Sequence, residues 1–169
     1  MHLTLSALPS PIGPLAVACD EDSRVRGVSF GEGVERSMRR TWPGAELAEG
    51  EAPGAVRAGL EAYFAGDRAA LARIDSSLDG AAAGDGFQVR VWRALAEIPV
   101  GTTISYGEMA RRAGEPGAAQ AAGVALNRNP IPLVLPCHRV VGADGAMVGF
   151  GGGLERKTWL LRHEGALLI

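Results

Sequence analysis

The first 30 residues carry the hydrophobic pattern of half-buried β-strands. Apolar residues alternate with polar ones from Leu3 to Ala7, and this period of two turns one face of a strand toward a core. Two further apolar runs, 15–19 and 25–30, have the length of strands and are separated by the acidic turn 20–23. Strands joined by such short turns pair with each other, so the pattern predicts a small antiparallel sheet.

Helical spacing of apolar residues begins after residue 50. It predicts one helix over 53–65, with an apolar face that ends at Phe64, and another that starts at Phe87 and ends before Pro99. A stretch rich in Gly, Ala, Asp and Ser over 75–86 lies between them and has the composition of a linker. We therefore expect two domains, which span residues 1–80 and 86–169.

Two short helices about a tight turn are predicted in the second domain. Ser105 and Glu108 have the S-x-x-E spacing of a capping box, which predicts a helix over 106–113 that ends at Gly114. The next helical stretch, 117–126, consists almost entirely of small residues. The pair is either a helix-turn-helix or an ordinary helical hairpin. In contact with DNA, such a second helix suits the minor groove, because it lacks the long side chains that read bases in the major groove.

The candidate chemistry centres on Cys137, in the sequence Leu-Pro-Cys-His-Arg-Val. The neighbouring His138 and Arg139 favour a thiolate, which is the nucleophilic form of cysteine. Three prolines between 130 and 136 predict an extended approach to this residue, because a residue before proline avoids the helical region. A buried structural cysteine beside a chance histidine is the alternative interpretation.

Composition and charge narrow the class of protein. The chain has 169 residues, of which 47% are hydrophobic, and no apolar run long enough to cross a bilayer, so we expect a cytoplasmic protein without membrane contact. Residues 1–85 hold 8 basic against 13 acidic side chains, whereas residues 86–169 hold 9 against 6, a balance that suits modest contact with phosphates. Cys19 and Cys137 predict no disulfide, and we expect Cys19 to be a buried, inert thiol.

The second half of the chain contains a series of short motifs that together resemble those of a known protein family. They are Phe87 with Val91-Trp92, Ile104-Ser105-Tyr106-Gly107, the PCHRV core at 136–140, Gly152-Gly153-Leu154, Trp159-Leu160-Leu161 and His163-Glu164-Gly165. In order and spacing this half resembles the O6-alkylguanine-DNA alkyltransferases, also called methylated-DNA--protein-cysteine methyltransferases. The N-terminal resemblance rests on the shorter segments 10–15 and 63–66. It implies a ribonuclease-H-like α/β domain followed by a mainly helical winged helix-turn-helix domain.

The resemblance also implies a reaction. An alkyl group on O6 of guanine, and also on O4 of thymine, would move irreversibly to Cys137 in a single turnover. His138 would take the thiol proton through a water molecule, and Glu164 would orient the imidazole. Tyr106 would protonate the departing guanine. No cofactor and no metal are implied.

A monomer would bind double-stranded DNA containing O6-alkylguanine through the minor groove and flip the damaged nucleotide into a pocket. The residues implied at the DNA surface are Ala118, Ala119, Gln120, Ala121, Gly123, Asn127 and Arg128. Those implied around the pocket are Tyr106, Asn129, Pro132, Val140, Phe150, Gly151 and Lys157. The carbonyl groups of Cys137 and Val140 would accept from the guanine amino group, and the amide of Gly151 would donate toward O6.

Two positions depart from the family. Gln120 stands where the family usually has an arginine that fills the space left by the flipped base, and Phe150 replaces a tyrosine. Two other functions stay open at this point. One is a hydrolase that uses the same Cys, His and Glu groups with turnover. The other is a non-catalytic protein that binds alkylated DNA.

Overall fold

The computed structural model describes residues 1–83, 86–147 and 149–167. These residues form two compact units. The first contains residues 1–82 together with 130–134, and the second contains the remaining described residues. In the described part of the chain, no helix is both long enough and apolar enough to cross a membrane.

The first unit is built around a four-stranded sheet. Its strands are β1 (His2–Leu8), β2 (Leu15–Cys19), β3 (Val25–Phe30) and β4 (Glu46–Glu49), in the spatial order β3-β2-β1-β4. β2 pairs antiparallel with both β1 and β3, which confirms the predicted meander. β4 was not predicted, and it pairs parallel with β1, so the sheet is mixed. The sequence of β4 has charged residues at both ends and suits an edge strand, but it lacks the apolar pattern of the other three.

The alternation predicted for β1 fails in its second half. Leu3 is buried as expected, but Ala7 is exposed, whereas Ser6 and Leu8 are buried. The hydroxyl of Ser6 donates to the carbonyl of Gly50 at 2.7 Å. This hydrogen bond lets a polar side chain occupy a buried position.

Two α-helices complete the first unit, α1 (Val34–Thr41) and α2 (Gly54–Phe64). The bounds of α2 agree with the predicted helix to within one residue at each end. Its buried residues are Val56, Leu60 and Tyr63, whereas Phe64, expected on that face, is half-buried. Tyr63 follows Leu60 by three residues and Phe64 follows it by four, and both spacings keep a side chain on the same face of a helix. The sequence alone therefore did not show which of the two aromatic residues is buried.

The segment predicted as a linker is partly bound to the first unit. Ser76 forms a bridge with Val25 at the start of β3. The buried guanidinium of Arg26 donates to the carbonyl of Asp79 at 2.7 Å. A composition rich in Gly and Ala therefore accompanies a loop whose backbone is hydrogen-bonded to its neighbours.

The second unit is mainly helical. Its helices are α3 (Phe87–Leu95), α4 (Tyr106–Arg112), α5 (Ala119–Asn127) and α6 (Leu154–His163), and its strands β5 (Ile104–Ser105) and β6 (Val140–Val141) pair parallel. α3 begins at the predicted residue and buries Val91, Trp92 and Leu95. This apolar face packs against α4 and α5.

α4 and α5 are two short helices joined by a turn, as predicted. The hydroxyl of Ser105 accepts a hydrogen bond from the N–H of Glu108 at 3.1 Å, which caps the start of α4. Gly114 follows the end of α4 with a φ of 90°, a conformation that glycine adopts easily. The indole N–H of Trp92 donates to the carbonyl of Ala125 at 2.7 Å, and this buried bond holds α5 against α3.

The approach to Cys137 differs from the extended segment that the prolines predict. Leu133 has a φ of 77°, in the left-handed region that bulky residues rarely adopt. A proline restricts only the residue before it, and Leu133 is followed by valine. The carbonyl of Pro130 accepts from the N–H of Val28 at 3.0 Å, so the segment 130–134 packs as part of the first unit.

Candidate active site

The PCHRV core forms a tight turn. Cys137–Arg139 is a single 3₁₀ turn that leads into β6. The N–H of Cys137 donates to the carbonyl of Leu135 at 2.8 Å, and the N–H of Arg139 donates to the carbonyl of Pro136 at 3.0 Å. Cys137 is 7% exposed, and the two side chains after it are also buried. Cys137 therefore lies in a hydrogen-bonded turn, with a small part of its surface accessible to solvent.

His138, Arg139 and Glu164 form a buried cluster behind this turn. Nε2 of His138 lies 2.8 Å from Oε2 of Glu164, the residue that follows the end of α6. Arg139 donates to both oxygens of the same carboxylate, at 2.8 and 3.0 Å, and to the carbonyl of Ile98 at 2.7 Å. The sequence placed Arg139 beside the thiol as a group that favours the thiolate. Its guanidinium instead holds the carboxylate that faces His138, a role that sequence reasoning missed.

The charges of this cluster set the protonation state of His138. Burial alone would raise the pKa of Glu164, but the hydrogen bonds from His138 and Arg139 outweigh it and lower that pKa to about 2. Burial lowers the pKa of His138 below its usual value, although Glu164 acts in the opposite direction. The imidazole is therefore neutral near pH 7, and because the carboxylate can only accept, Nε2 carries the proton. Nδ1 then has the free lone pair that a general base needs.

Nδ1 of His138 is also distinguished by its surroundings. Among the buried side-chain nitrogen and oxygen atoms of the described residues, it alone has no hydrogen-bond partner in the protein. A buried acceptor without a partner is costly, and bridging water is the usual way in which such a group is satisfied. This geometry fits the expectation that a water molecule relays the proton from the Cys137 thiol.

Tyr106 occupies the first position of α4, directly after the capping Ser105. A Cβ atom added to Gly149 would lie 3.2 Å from the Tyr106 hydroxyl, and one added to Gly123 would lie 3.9 Å from its ring. Tyr106 therefore lies between α5 and the segment 149–153, here called the glycine-rich loop because four of its five residues are glycine. Burial raises the pKa of the phenol, and the charge of a Cys137 thiolate acts in the same direction. At neutral pH the phenol therefore keeps its proton.

Lys157 is fully buried in α6. Its Nζ donates to the carbonyl of Val140 at 2.7 Å and to the carbonyl of Gly149 at 3.2 Å. Burial lowers the pKa of Lys157, whereas a negative charge on Cys137 acts against that shift. Lys157, expected from sequence only as a pocket residue, thus joins β6 to the glycine-rich loop.

The two carbonyl groups expected to recognise guanine are partly occupied. The carbonyl of Cys137 accepts from the N–H of Val140. The carbonyl of Val140 accepts from Lys157. A carbonyl oxygen has two lone pairs, so one existing hydrogen bond does not by itself prevent it from accepting a second.

The residues expected at the DNA surface divide by exposure along α5 and its flanks. Gln120, Ala121, Asn127 and Arg128 are exposed, and Ala118, Ala119 and Gly123 are half-buried. The opposite face buries Ala122, Ala125 and Leu126. Val124 is 50% exposed and lies among the exposed residues, although the sequence did not single it out.

The remaining expected pocket residues lie in different surroundings. Nδ2 of the buried Asn129 donates to the carbonyl of Leu135 at 2.9 Å, which ties the end of α5 to the segment before Cys137. Phe150 is half-buried and Gly151 is exposed. Pro132 lies in the segment that belongs to the first unit, and its part in the pocket stays a prediction. Within the described ranges, no group of three or more His, Cys, Asp and Glu side chains is arranged to hold a metal ion.

Comparison with known families identifies both units. The sequence pattern of the 6-O-methylguanine DNA methyltransferase ribonuclease-like domain matches residues 3–75, and that of the 6-O-methylguanine DNA methyltransferase DNA binding domain matches residues 86–166. The chain belongs to the 6-O-methylguanine DNA methyltransferase family. This result confirms the resemblance drawn from the motifs, and with it the expected order of an α/β domain followed by a helical DNA-binding domain.

Individual members of the 6-O-methylguanine DNA methyltransferase family agree with this chain over nearly its full length. A methylated-DNA--protein-cysteine methyltransferase of Shigella flexneri is 43% identical over 174 residues, which cover 100% of this chain and 99% of the relative. One from Mycobacterium tuberculosis is 45% identical over 160 residues, which cover 93% of this chain and 89% of the relative. The crystal structure of Mycobacterium tuberculosis OGT in complex with DNA has a TM-score of 0.74 and 38% identity, over 96% of this chain and 93% of that one.

Proposed function

We propose that this protein repairs DNA by moving an alkyl group from O6 of guanine, and from O4 of thymine, to the thiol of Cys137. The observation that carries the proposal is the buried hydrogen bond between His138 and Glu164, directly behind the cysteine. This hydrogen bond supports His138, the neighbour of Cys137 in sequence, as a neutral base whose orientation the carboxylate fixes. Family membership supplies the substrate class.

The reaction follows from these groups. The thiol proton passes through water to Nδ1 of His138, and the sulfur attacks the alkyl carbon as the bond between that carbon and O6 breaks. The electron pair of this bond stays on guanine, which takes a proton from Tyr106. The net change moves the alkyl carbon from oxygen to sulfur and one proton, by way of the protein, to guanine. A thioether has no route back to thiol under these conditions, so each molecule acts once.

Recognition of the lesion is assigned to α5 and the pocket behind it. The small residues of α5 let its backbone approach the minor groove closely, and the nucleotide must leave the duplex because its reacting atom is out of reach inside the stack. The carbonyls of Cys137 and Val140 would then accept from the guanine amino group. We propose that the protein binds as a monomer and acts in the cytoplasm, where the thiol stays reduced.

Replacement of each cysteine tests this assignment. Cys137→Ala should abolish alkyl transfer from an O6-methylguanine duplex but leave binding of that duplex within about 3-fold of wild type, because the α4 and α5 contacts are untouched. Cys19→Ala is the matched control. Burial raises the pKa of Cys19 to about 12, so its thiol is inert near pH 7 and its loss should leave transfer intact. Transfer that survives in Cys137→Ala would overturn the proposal, and repeated turnover by wild type would favour a thiol hydrolase.

A further inference from the structure

The exposed face of α5 carries one large apolar side chain. Val124 is 50% exposed, and among the described residues the only other exposed large apolar side chains are Met1 and Leu154. The neighbouring exposed positions of the helix are small or polar, namely Gln120, Ala121 and Asn127. A single exposed valine is ordinary by itself, so its position must carry the argument.

The position of Val124 connects it to the reaction site. A Cβ atom added to Gly123, the residue before Val124, would lie 3.9 Å from the Tyr106 ring, so this turn of α5 borders the residue that protonates guanine in the proposed function. Val124 also follows Gln120 by four residues, and side chains at that spacing are neighbours on one helix surface. The two therefore form a continuous stripe on the helix that faces DNA in the proposed function.

We infer that Val124 is a DNA-contacting wedge, which enters the minor groove beside Gln120 and fills space left when the damaged nucleotide is flipped. The inference rests on the proposed function and adds to it a residue for extrusion. Proteins that deform the minor groove insert apolar side chains between base steps, because such a side chain loses no hydrogen bonds when stacked bases surround it. Valine suits this task since its β-branch leaves one strongly preferred rotamer in a helix, so little freedom is lost on insertion.

The different chemistry of Gln120 and Val124 gives the two side chains different roles in the proposed contact with DNA. Gln120 is neutral and carries both a donor and an acceptor, so it can pair with the base that the flipped nucleotide leaves behind. It does not provide rigid bulk. Val124 provides that bulk and no polar group. The pair predicts that loss of either side chain slows repair of duplex DNA but leaves the chemistry at Cys137 unchanged.

The test compares two substrates under single-turnover conditions, an O6-methylguanine duplex and free O6-benzylguanine base, which needs no flipping. Val124→Ala keeps a good helix former and removes the bulk, and Val124→Thr keeps the shape but replaces a methyl group by a hydroxyl. The alanine variant should react about 3- to 10-fold more slowly with duplex and at the wild-type rate with free base. Gln120→Arg, which adds bulk and charge to the same stripe, should speed the duplex reaction without changing the free-base rate. Leu154→Ala, an equally exposed apolar residue on another helix, is the control and should change neither rate.

Three outcomes would overturn the inference. They are an unchanged duplex rate in Val124→Ala, an equal loss with both substrates, and an equal duplex defect in Leu154→Ala. An equal loss of rate with both substrates would mean that the substitution disturbs Tyr106 through Gly123, and not a contact with DNA. Val124→Thr should fall between wild type and the alanine variant. If wild-type protein transfers no alkyl group from either substrate, it is the proposed function that fails.

Discussion

Oε2 of Glu164 lies 2.8 Å from Nε2 of His138, and neither side chain is exposed to solvent. The two residues are 26 positions apart in sequence, and the turn after α6 brings the carboxylate to the back of the nucleophile turn. Arg139 donates to both oxygens of that carboxylate and neutralises its charge. The buried carboxylate of Glu164 therefore orients the imidazole of His138 and also forms an ion pair with Arg139.

Replacement of Glu164 by glutamine should damage both reactivity and stability. The variant keeps the size of the side chain but leaves Arg139 buried without a counter-charge, which should lower the free energy of unfolding by about 3 kcal/mol. His138 loses the group that fixes its proton on Nε2, so the rate of alkyl transfer from free base should fall about 100-fold. Urea denaturation and single-turnover kinetics measure the two effects. Glu155→Gln, on the exposed first turn of α6, is the control; equal behaviour of the two variants would contradict the role of Glu164.

Stability should fall in acid, and the sign follows from the two pKa shifts. The pKa of Glu164 is depressed from 4.5 to about 2, so its contribution is present above pH 4.5 and is lost as pH falls toward 2. The pKa of His138 is lowered from 6.5, so the stability linked to its neutral form is lost as pH falls below 6.5. The difference in unfolding free energy between wild type and Glu164→Gln, measured by urea denaturation, should shrink by about 3 kcal/mol between pH 5 and pH 2. A difference that stays constant over this range would contradict the shift assigned to Glu164.

Lys157→Met should weaken the pocket without touching Cys137. The substitution removes the Nζ hydrogen bonds to the carbonyls of Val140 and Gly149 but keeps an unbranched side chain of similar length. The buried carbonyl of Val140 and the partly buried carbonyl of Gly149 lose a donor, so the free energy of unfolding should fall by about 1 to 3 kcal/mol. The glycine-rich loop loses its attachment to β6, and alkyl transfer from free base should slow about 10-fold. Arg162→Met, an exposed basic residue of the same helix, provides the comparison, and a Lys157→Met protein with wild-type stability and rate would refute the account of this contact.

The sequence predicted those parts of the fold that local pattern controls. The three meander strands, α2, α3 and the capped start of α4 follow from apolar spacing and from Ser105, whose side chain acts within three residues. It did not predict β4, whose charged ends are compatible with an edge strand but do not identify one. It also missed the left-handed Leu133, because a positive φ at a bulky residue is imposed by its surroundings and leaves no local signal.

In the candidate site, too, local sequence pattern predicted contacts between neighbouring residues and missed those between residues far apart in the chain. Cys137 and His138 are adjacent in sequence, and the motif alone indicated a nucleophile with a base. The pairing of Arg139 with Glu164 joins residues 25 positions apart and depends on where α6 ends, which spacing does not reveal. The contacts of Lys157 with backbone carbonyls could not be predicted from the sequence, because a lysine on a helix is usually exposed to solvent. Its side chain reaches these carbonyls because the packing of the second unit buries it.

Intact mass spectrometry before and after incubation with excess O6-methylguanine duplex tests the central claim most directly. The protein should gain one methyl group, about 14 Da, and then stop, with the added mass on the peptide that contains Cys137. The amount of guanine restored should equal the amount of protein. A second mass increment, methylation of Cys19, or more guanine restored than protein present would contradict irreversible transfer to Cys137.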